Sequence, residues 1–286
     1  MTDQALAIGL GLMSAVTLAA ANMSVKMGTD ILVGRAILST SAALLVLPFA
    51  FVVPMPDGPT RVALMVALPA HFIYQLCLVQ AMSRADLSLV FPVMRGAAPL
   101  LTACSAMILL REHLSPVSWI GLLLATGAVI AFALPPRGSR LRDHPDGVAL
   151  LWALATAVFI SLYNVADARG IRISPDPFTF IVWLFLQDFI LITLTALLFR
   201  RDALRKAIAM KWRYGVAAGA LSIVSFGATL YAYRLMETAK VSALRETSVV
   251  FAAAMGSWLL GEGFGRRRLI SAIMLAAGLV LMQFSR

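Results

Sequence analysis

Charged residues are scarce in this sequence. Asp, Glu, Lys and Arg make up 13% of the 286 residues, about half the share found in an average soluble domain, whereas 60% of the residues are hydrophobic. The formal net charge is +10, and the basic residues lie in short segments between long apolar blocks. This arrangement is typical of the loops of a membrane protein and argues against a nucleic-acid-binding surface.

Cysteine, histidine and the motifs of soluble enzymes are also rare or missing. The chain has two cysteines and three histidines. Cys77 and Cys104 stand inside apolar blocks without the spacing of metal ligands, so we expect two buried free thiols and no metal site. The sequence contains no G-x-S-x-G, no H-E-x-x-H, no Walker loop and no dinucleotide fingerprint. We therefore expect no enzyme, no cofactor and no ATP-driven pump.

The apolar blocks are long enough to cross a bilayer, which takes about 20 helical residues at about 1.5 Å per residue. We predict an all-α integral membrane protein with ten transmembrane helices. The predicted spans are residues 4–25, 31–53, 62–82, 88–110, 117–134, 147–168, 178–199, 214–235, 241–260 and 269–284.

A pattern in the fourth predicted span occurs again in the ninth. A shift of 150 positions places Arg95 on Arg245 and Glu112 on Glu262. In both copies an apolar run follows the arginine, ends in Leu-Leu and leads to the glutamate. An arginine near the start of a hydrophobic helix, with a glutamate at a fixed distance after it, indicates an internal duplication.

The duplication divides the chain into two five-helix repeats. Residues 135–146 are rich in proline, glycine and charge, which marks a linker. The first repeat then covers residues 1–134 and the second covers residues 147–286. An odd number of helices inverts the second repeat relative to the first, and inverted repeats are typical of secondary transporters, whose substrate site lies near the membrane midplane.

Charged residues inside the predicted spans need a reason, because each costs about 2.5–3.5 kcal/mol at the bilayer centre on insertion scales. Arg95 and Arg245 stand at equivalent places in the two repeats. They either hold a substrate carboxylate or phosphate or pair with neighbouring acids, as Glu246 could with Arg245. Glu112 and Glu262 end their helices among basic residues, and we expect them to organise loops.

The third and fourth spans contain further candidates. His71, Tyr74 and Gln75 are spaced i, i+3 and i+4 and therefore share one helix face. On such a face a cavity lining is favoured over simple packing. Pro92 and Pro99 break the fourth span, because each removes a backbone hydrogen bond, which a membrane helix tolerates where it lines a cavity or is buried in protein. We predict a hinge there.

Asparagines and tyrosines in the first, sixth and eighth spans complete the candidate set. The repeat alignment places Asn22 on Asn164, and Tyr163 adds an aromatic ring beside the latter. Hydrogen bonding between helices is nearly as good an explanation for the two asparagines as substrate binding. Tyr231 is a candidate for stacking on a ligand, although packing is the commoner role of such aromatic residues.

Two more ionisable residues lie within predicted spans. Asp188 in the seventh span is either a proton site or the partner of Arg35 in the second span. We favour the ion pair.

The quoted segments resemble a known family. FPVMRGAAPLLTACSAMILLREHLSPVSWIGLLLATGAVI and AKVSALRETSVVFAAAMGSWLLGEGFG are similar to the EamA type of the drug/metabolite transporter (DMT) superfamily. The resemblance covers nearly the whole chain. It implies a metabolite exporter of a bacterial inner membrane, and one branch of such exporters carries aromatic amino acids.

We predict a secondary transporter that exports small metabolites, foremost amino acids with large apolar or aromatic side chains, by alternating access. Its expected partners are a small-molecule substrate and the lipid bilayer, without nucleic acid. A coupling proton is a further candidate, and we expect a functional monomer. The predicted substrate-binding residues are Asn22, His71, Tyr74, Gln75, Arg95, Tyr163, Asn164, Tyr231, Arg245 and Glu246.

Other functions and one question of topology stay open at this point. A carrier of nucleosides, purines or other polar metabolites would suit the Asn and Gln residues, and an intramembrane enzyme or a non-transporting subunit represents a different class. The odd-numbered predicted loops carry more than twice as many Lys and Arg residues as the even-numbered loops and termini. The positive-inside rule then places both termini outside, whereas the family is often drawn with cytoplasmic termini.

Overall fold

The computed structural model of the chain describes residues 3–25, 30–84, 87–133, 147–251, 254 and 266–284. The predicted linker at residues 135–146 and the predicted role of Glu262 lie outside this part of the chain. The described residues form helices and no strands, which confirms an all-α protein. The helices are α1 Asp3–Val25, α2 Ile31–Val46 (continued by a 3₁₀ segment, Leu47–Phe51), α3 Gly58–Met82, α4 Leu87–Leu109, α5 Pro116–Ala133, α6 Gly147–Ile173, α7 Pro177–Phe199, α8 Arg201–Leu235, α9 Thr238–Arg245 and α10 Arg266–Phe284.

Six segments are long and apolar enough to cross a membrane, which confirms a multi-pass membrane protein. They are Asp3–Ala21, Ile31–Phe51, Gly58–Met82, Gly147–Ile173, Pro177–Phe199 and Trp212–Leu235. Shorter apolar stretches are Val93–Leu109, Pro116–Ala131 and Leu269–Gln283. The total of ten spans therefore stays a prediction.

Helix α8 begins earlier than the sequence predicts. Residues 201–213, expected as a loop, form the first turns of one helix that runs to Leu235. These turns are rich in Ala, Leu, Arg, Lys and Met, which have high helix propensity. In addition, Leu204 is buried against Val33, Ala36 and Ala196. Local propensity and this apolar contact together explain why the helix extends beyond the apolar block.

Two further predictions about helices are wrong. Helix α4 runs without interruption from Leu87 to Leu109 and contains both Pro92 and Pro99, so the prolines do not break it. Each proline removes one backbone hydrogen bond, and the remaining bonds of a helix of this length maintain its form. Conversely, the predicted ninth span is interrupted, because α9 ends at Arg245 and a turn at residues 246–247 precedes helical residues 248–251.

Cys77 is buried as predicted, but Cys104 is exposed. Met107 and Ile108 on the same helix are also exposed, and the spacing i, i+3 and i+4 puts all three on one face. In a membrane protein an apolar face can be turned to lipid at little cost, so an apolar neighbourhood in sequence does not imply burial.

The described helices belong to two compact units, and neither unit coincides with a predicted repeat. Unit 1 consists of Met1–Gln75 and Ala166–Met236, and unit 2 consists of Leu76–Val165 and Glu237–Arg286. Each unit therefore takes helices from both halves of the sequence. The chain passes from one unit to the other within α3, within α6 and between α8 and α9. The predicted repeat boundaries remain a prediction.

Small and hydroxyl side chains hold the helices of unit 1 together. Ser14 Oγ on α1 lies 2.7 Å from Thr229 Oγ1 and 3.2 Å from Ser225 Oγ on α8. Thr40 on α2 and Thr193 on α7 make a similar hydroxyl contact of 2.8 Å. Such pairs are common between membrane helices, where burying apolar surface gives little driving force and close packing with hydrogen bonds replaces it.

In unit 2 the tightest contact joins α5 to α10. A Cβ atom on Gly121 would lie 2.5 Å from the carbonyl oxygen of Gly278, and a Cβ atom on Gly278 would lie 2.6 Å from the carbonyl oxygen of Gly121. The two backbones therefore approach too closely for any side chain at either position. Helix α4 packs against α5 and α9 in the same unit.

Candidate functional site

Polar side chains of the described membrane helices form two clusters, one in each compact unit. The His71 cluster in unit 1 contains Arg35, Ser39, His71, Gln75, Asp167 and Asp188. The Arg95 cluster in unit 2 contains Arg95, Thr102, Asn164, Ser242 and Glu246.

His71 on α3 contacts carboxylates from two other helices. Its Nε2 lies 2.9 Å from Asp167 Oδ2 on α6, and its Nδ1 lies 3.7 Å from Asp188 Oδ1 on α7. His71 is 6% exposed and Asp167 is fully buried. The edge of the imidazole also meets the ring of Phe226 on α8, with centroids 5.6 Å apart. An ionisable side chain at such a depth is expensive to bury and is commonly paired, as it is here.

Gln75 connects the acidic and basic sides of this cluster. Its Nε2 donates to Asp188 Oδ1 at 3.1 Å, and its Oε1 accepts from Arg35 Nε at 3.3 Å. Ser39 Oγ donates to Asp188 Oδ2 at 3.3 Å. The predicted ion pair between Arg35 and Asp188 is thus replaced by a link through Gln75, because the amide offers one donor and one acceptor in the space between the two charges.

Tyr74 joins the same neighbourhood. The guanidinium of Arg35 stands over the Tyr74 ring, 5.5 Å from its centroid, in a cation–π geometry. The predicted helix face of His71, Tyr74 and Gln75 is therefore brought together with Arg35. Substrate binding by these side chains stays a prediction.

The Arg95 cluster combines an ion pair with neutral hydrogen-bonding groups. Arg95 Nη1 on α4 lies 3.4 Å from Glu246 Oε1, and the two side chains are 15% and 5% exposed. Asn164 Nδ2 on α6 donates to Thr102 Oγ1 at 3.2 Å and to Ser242 Oγ at 3.4 Å. Glu246 thus contacts the arginine of the first repeat, 151 positions away.

Glu246 stands where the backbone leaves helical geometry. Its N–H donates to the carbonyl of Ala243 at 3.1 Å, and the next N–H, of Thr247, donates to Leu244 at 3.1 Å. These bonds span three residues, which tightens the end of α9 into a 3₁₀-type turn. Irregular backbone at membrane depth is tolerated where it is buried in protein or lines a cavity, and broken helices are typical of transporter binding sites.

The remaining predicted residues divide between the two units. Tyr163 is buried in unit 2. Tyr231 in unit 1 packs against Phe178, with ring centroids 6.0 Å apart. The backbones of Asn22 and Pro92 are helical, but their side chains lie outside the described part of the structure. Pro99 is buried within α4.

Asp167 is the principal residue that sequence reasoning missed. It lies in an apolar helix, three residues after Asn164, and an ionisable residue in such a segment is by default a candidate for function. That rule would have selected it. Ser39, which donates to Asp188, has no comparable signal, because serine is common in membrane helices for packing reasons alone. Within the described residues no group of side chains is suited to hold a metal ion.

The two halves of the chain each match the model of one protein family. The match covers residues 4–134 and 147–284, and the family is described as the EamA-like transporter family. The chain belongs to the EamA-like transporter family. This membership confirms the resemblance to the drug/metabolite transporter superfamily and identifies a two-repeat membrane transporter fold. No curated protein matches this EamA-like chain.

A solved crystal structure is similar to this EamA-like chain. The similarity covers 97% of this chain and 95% of the other, with a TM-score of 0.78 and 18% sequence identity. At that identity the likeness supports the fold and carries no information on the substrate.

Proposed function

We propose that this EamA-like protein is a secondary transporter that exports small carboxylated metabolites, foremost amino acids with a large apolar or aromatic side chain, by alternating access. We further propose that it acts as a monomer in a bacterial inner membrane. The observation that carries the substrate class is the Arg95 cluster, in which charged groups meet at the break between α9 and the following helical residues.

The charges of this cluster favour an anionic group. Arg95 places a guanidinium beside the Glu246 carboxylate, and Arg245 is the residue next to Glu246 in the sequence. A guanidinium can hold a substrate carboxylate in a two-bond pair, and a cation within a membrane segment is by default a candidate for function. The 3.4 Å contact between Arg95 and Glu246 is longer than the ~2.7–2.9 Å of a strong charge-assisted hydrogen bond. A substrate carboxylate can therefore compete with Glu246 for Arg95 at small cost.

Neighbouring groups suit the rest of such a substrate. Asn164, Thr102 and Ser242 provide neutral hydrogen-bonding groups, which can orient an amino group, while Tyr163 and Met94 are buried in the same unit next to Asn164 and Arg95 in sequence. Pro92 and Pro99 in α4 stay candidates for the hinge that alternating access requires.

A carrier of nucleosides or other neutral polar metabolites is the second candidate. The three neutral groups around Asn164 favour it, because amide and hydroxyl groups bind bases and sugars without any charge. In that case the two arginines would be structural, and their removal would affect folding more than binding.

The test is substrate counterflow in proteoliposomes that contain only this protein. Labelled phenylalanine, adenosine and glucose are compared for the wild type, the double variant Arg95→Gln/Arg245→Gln and the control Arg205→Gln, which changes an exposed arginine on α8. We expect saturable phenylalanine counterflow in the wild type and control. The double variant should bind phenylalanine at least about tenfold more weakly, since hydrogen bonds to charged groups contribute about 1.5–3 kcal/mol.

Unchanged phenylalanine affinity in a folded double variant would rule out carboxylate recognition by these arginines. Counterflow of adenosine, with no counterflow of phenylalanine, would favour the second candidate.

A further inference from the structure

Both ring nitrogens of His71 face a carboxylate. Asp167 Oδ2 lies 2.9 Å from Nε2, and Asp188 Oδ1 lies 3.7 Å from Nδ1. A neutral imidazole has one N–H and one bare nitrogen, so one of the two carboxylates would face a lone pair. Only the protonated ring carries an N–H on each nitrogen. The geometry therefore fits a ring that has taken up a proton.

The net charge of the cluster also depends on whether His71 carries a proton. Three helices contribute charged groups that face His71: Arg35 from α2, Asp167 from α6 and Asp188 from α7. Helix α3 itself adds Gln75 and the titratable Tyr74, and α8 adds the uncharged ring of Phe226. Among these described groups, Arg35, Asp167 and Asp188 sum to one negative charge with a neutral His71 and to zero with a protonated His71. A proton on His71 thus neutralises the charge of this set, and a net charge is unfavourable in a low-dielectric interior.

Asp188 also keeps hydrogen-bond partners when His71 loses its proton. Asp188 accepts hydrogen bonds from Gln75 and Ser39, so it keeps two donors when the imidazole becomes neutral. Its side chain is 21% exposed, whereas Asp167 is fully buried. Asp188 therefore offers a route by which a proton can reach the ring. A permanently charged structural ion pair needs neither feature.

We propose that His71, Asp167 and Asp188 form a reversible proton-binding site that couples solute transport to a proton gradient. The proton occupies the imidazole, which donates to Asp167 and forms an ion pair with Asp188, and it leaves through the more exposed Asp188 to give a neutral ring. The three side chains stand on three helices, so a shift between helices that changes the 2.9 Å and 3.7 Å distances changes the affinity for the proton. The coupling role rests on the proposed transport function, and the proton site itself does not.

The coupling is tested by comparing two assays on the same proteoliposomes. Counterflow of labelled phenylalanine at equal pH needs no proton gradient, whereas net accumulation driven by a pH difference does. For one-to-one coupling, a difference of about one pH unit can drive about tenfold accumulation. We expect this accumulation in the wild type and in the control His113→Gln, which changes an exposed histidine. We expect Asp188→Asn to keep counterflow and to lose the accumulation, because the remaining charges of Arg35 and Asp167 balance without a proton on His71.

The outcomes separate the two proposals. A wild-type protein that shows counterflow but no accumulation under the pH difference, or an Asp188→Asn protein that accumulates like the wild type, overturns the coupling while transport stands. If phenylalanine gives no counterflow, the transport proposal fails for that solute, and the proton site is decided by ¹⁵N NMR of the histidine-labelled full-length protein.

The sequence has only three histidines, so the spectrum contains few imidazole signals. The signal that is missing in His71→Gln identifies His71. The proposal expects the His71 ring to change protonation between about pH 5 and pH 9, and it expects Asp167→Asn to move that transition by about one pH unit or more. A ring that keeps one protonation state throughout overturns the site and leaves a permanent ion pair.

Discussion

Gln75 is a neutral side chain of the His71 cluster that hydrogen-bonds to two charged groups, Arg35 and Asp188, at the same time. Its amide accepts from Arg35 and donates to Asp188, and its side chain is almost completely buried. Gln75→Leu keeps a similar volume and removes both hydrogen bonds. Since hydrogen bonds to charged groups contribute about 1.5–3 kcal/mol each, we expect the loss of two to lower the free energy of unfolding by about 3–6 kcal/mol. Denaturation in mixed micelles measures it.

Gln80→Leu on the same helix is the matched control for this prediction. Gln80 lies near the end of α3, where its partner is the exposed Arg84, so its replacement should change the free energy of unfolding by less than about 0.5 kcal/mol. Equal losses for the two variants would mean that the link through Gln75 contributes nothing specific.

Glu112 lies in the loop after α4 and contacts the start of α9, and its role in organising that loop stays a prediction. Its Oε1 accepts from Thr238 Oγ1 at 2.7 Å, and its Oε2 accepts from the backbone N–H of Thr238 at 2.9 Å, at the start of α9. Glu237, which precedes α9, makes no side-chain cap of its own. A carboxylate at this position satisfies an otherwise unpaired N–H and interacts favourably with the helix dipole.

A double-mutant cycle isolates this contact. Glu112→Ala and Thr238→Val are compared singly and together by thermal or chemical unfolding. We expect a coupling energy of about 1–2 kcal/mol, because each replacement alone removes the same hydroxyl–carboxylate bond. The neighbouring His113→Ala, at an exposed position, should add to either variant without coupling. Strict additivity of Glu112→Ala and Thr238→Val would show that Glu112 does not cap α9.

Among the helices, α5 and α10 depend most directly on glycine. The Cβ atom of an alanine at position 121 would meet the backbone of α10, 2.5 Å from Gly278 O and 2.8 Å from Met282 N. Backbone atoms cannot move aside as the end of a side chain can, so the helices would have to separate. We expect Gly121→Ala to lower the free energy of unfolding by about 1–3 kcal/mol, in the range of an overpacked core.

Gly127 on the same helix provides the control. A Cβ atom there would meet nothing within 4 Å. Because alanine has a higher helix propensity than glycine by about 1 kcal/mol, Gly127→Ala should be neutral or stabilising. Thermal unfolding of both variants in detergent compares them directly. If Gly127→Ala destabilised as much as Gly121→Ala, the loss would not come from the α5–α10 contact.

The interruption after α9 is the other feature at the scale of elements. A sequence of apolar residues with one Arg-Glu pair predicts a continuous helix there, and nothing in the local pattern contradicts it. The side chain of Thr247 donates to Leu244 O at 2.7 Å, and such a bond competes with helical hydrogen bonding. Together with the ion pair from Arg95 to Glu246, this bond favours a turn. The Thr247–Leu244 bond is local, whereas the Arg95–Glu246 ion pair depends on a residue 151 positions away.

At the scale of the whole molecule, the sequence predicts those features that depend on the length and composition of its apolar blocks. The long helices α1, α3, α6 and α7 appear where continuous apolar blocks stand, and the polar residues that form the two clusters were mostly selected, because polar groups in such blocks are rare. Their partners were not predicted. His71 meets Asp167 across 96 positions, and Arg35 reaches Gln75 and not Asp188. Pairing depends on which helices pack together, and no residue pattern within one helix encodes that.

The distribution of basic residues predicts the orientation of the whole chain in the membrane. Six Lys and Arg residues lie between Arg200 and Arg213, and the structure places this stretch in the first turns of α8, largely exposed. Basic residues close to the end of a span favour the cytoplasmic side. This stretch should therefore face the cytoplasm, whereas His113, between α4 and α5, should face outside.

Single cysteines test this orientation. In a background without Cys77 and Cys104, Arg205→Cys and His113→Cys are treated with a membrane-impermeant maleimide in right-side-out vesicles and again after permeabilisation. Both positions are exposed in the structure, so both should react once the membrane is open. We expect position 113 to react in intact vesicles and position 205 only after permeabilisation. The reverse pattern would mean that cytoplasmic termini hold here, and that the surplus of basic residues on α8 does not determine the insertion of this chain.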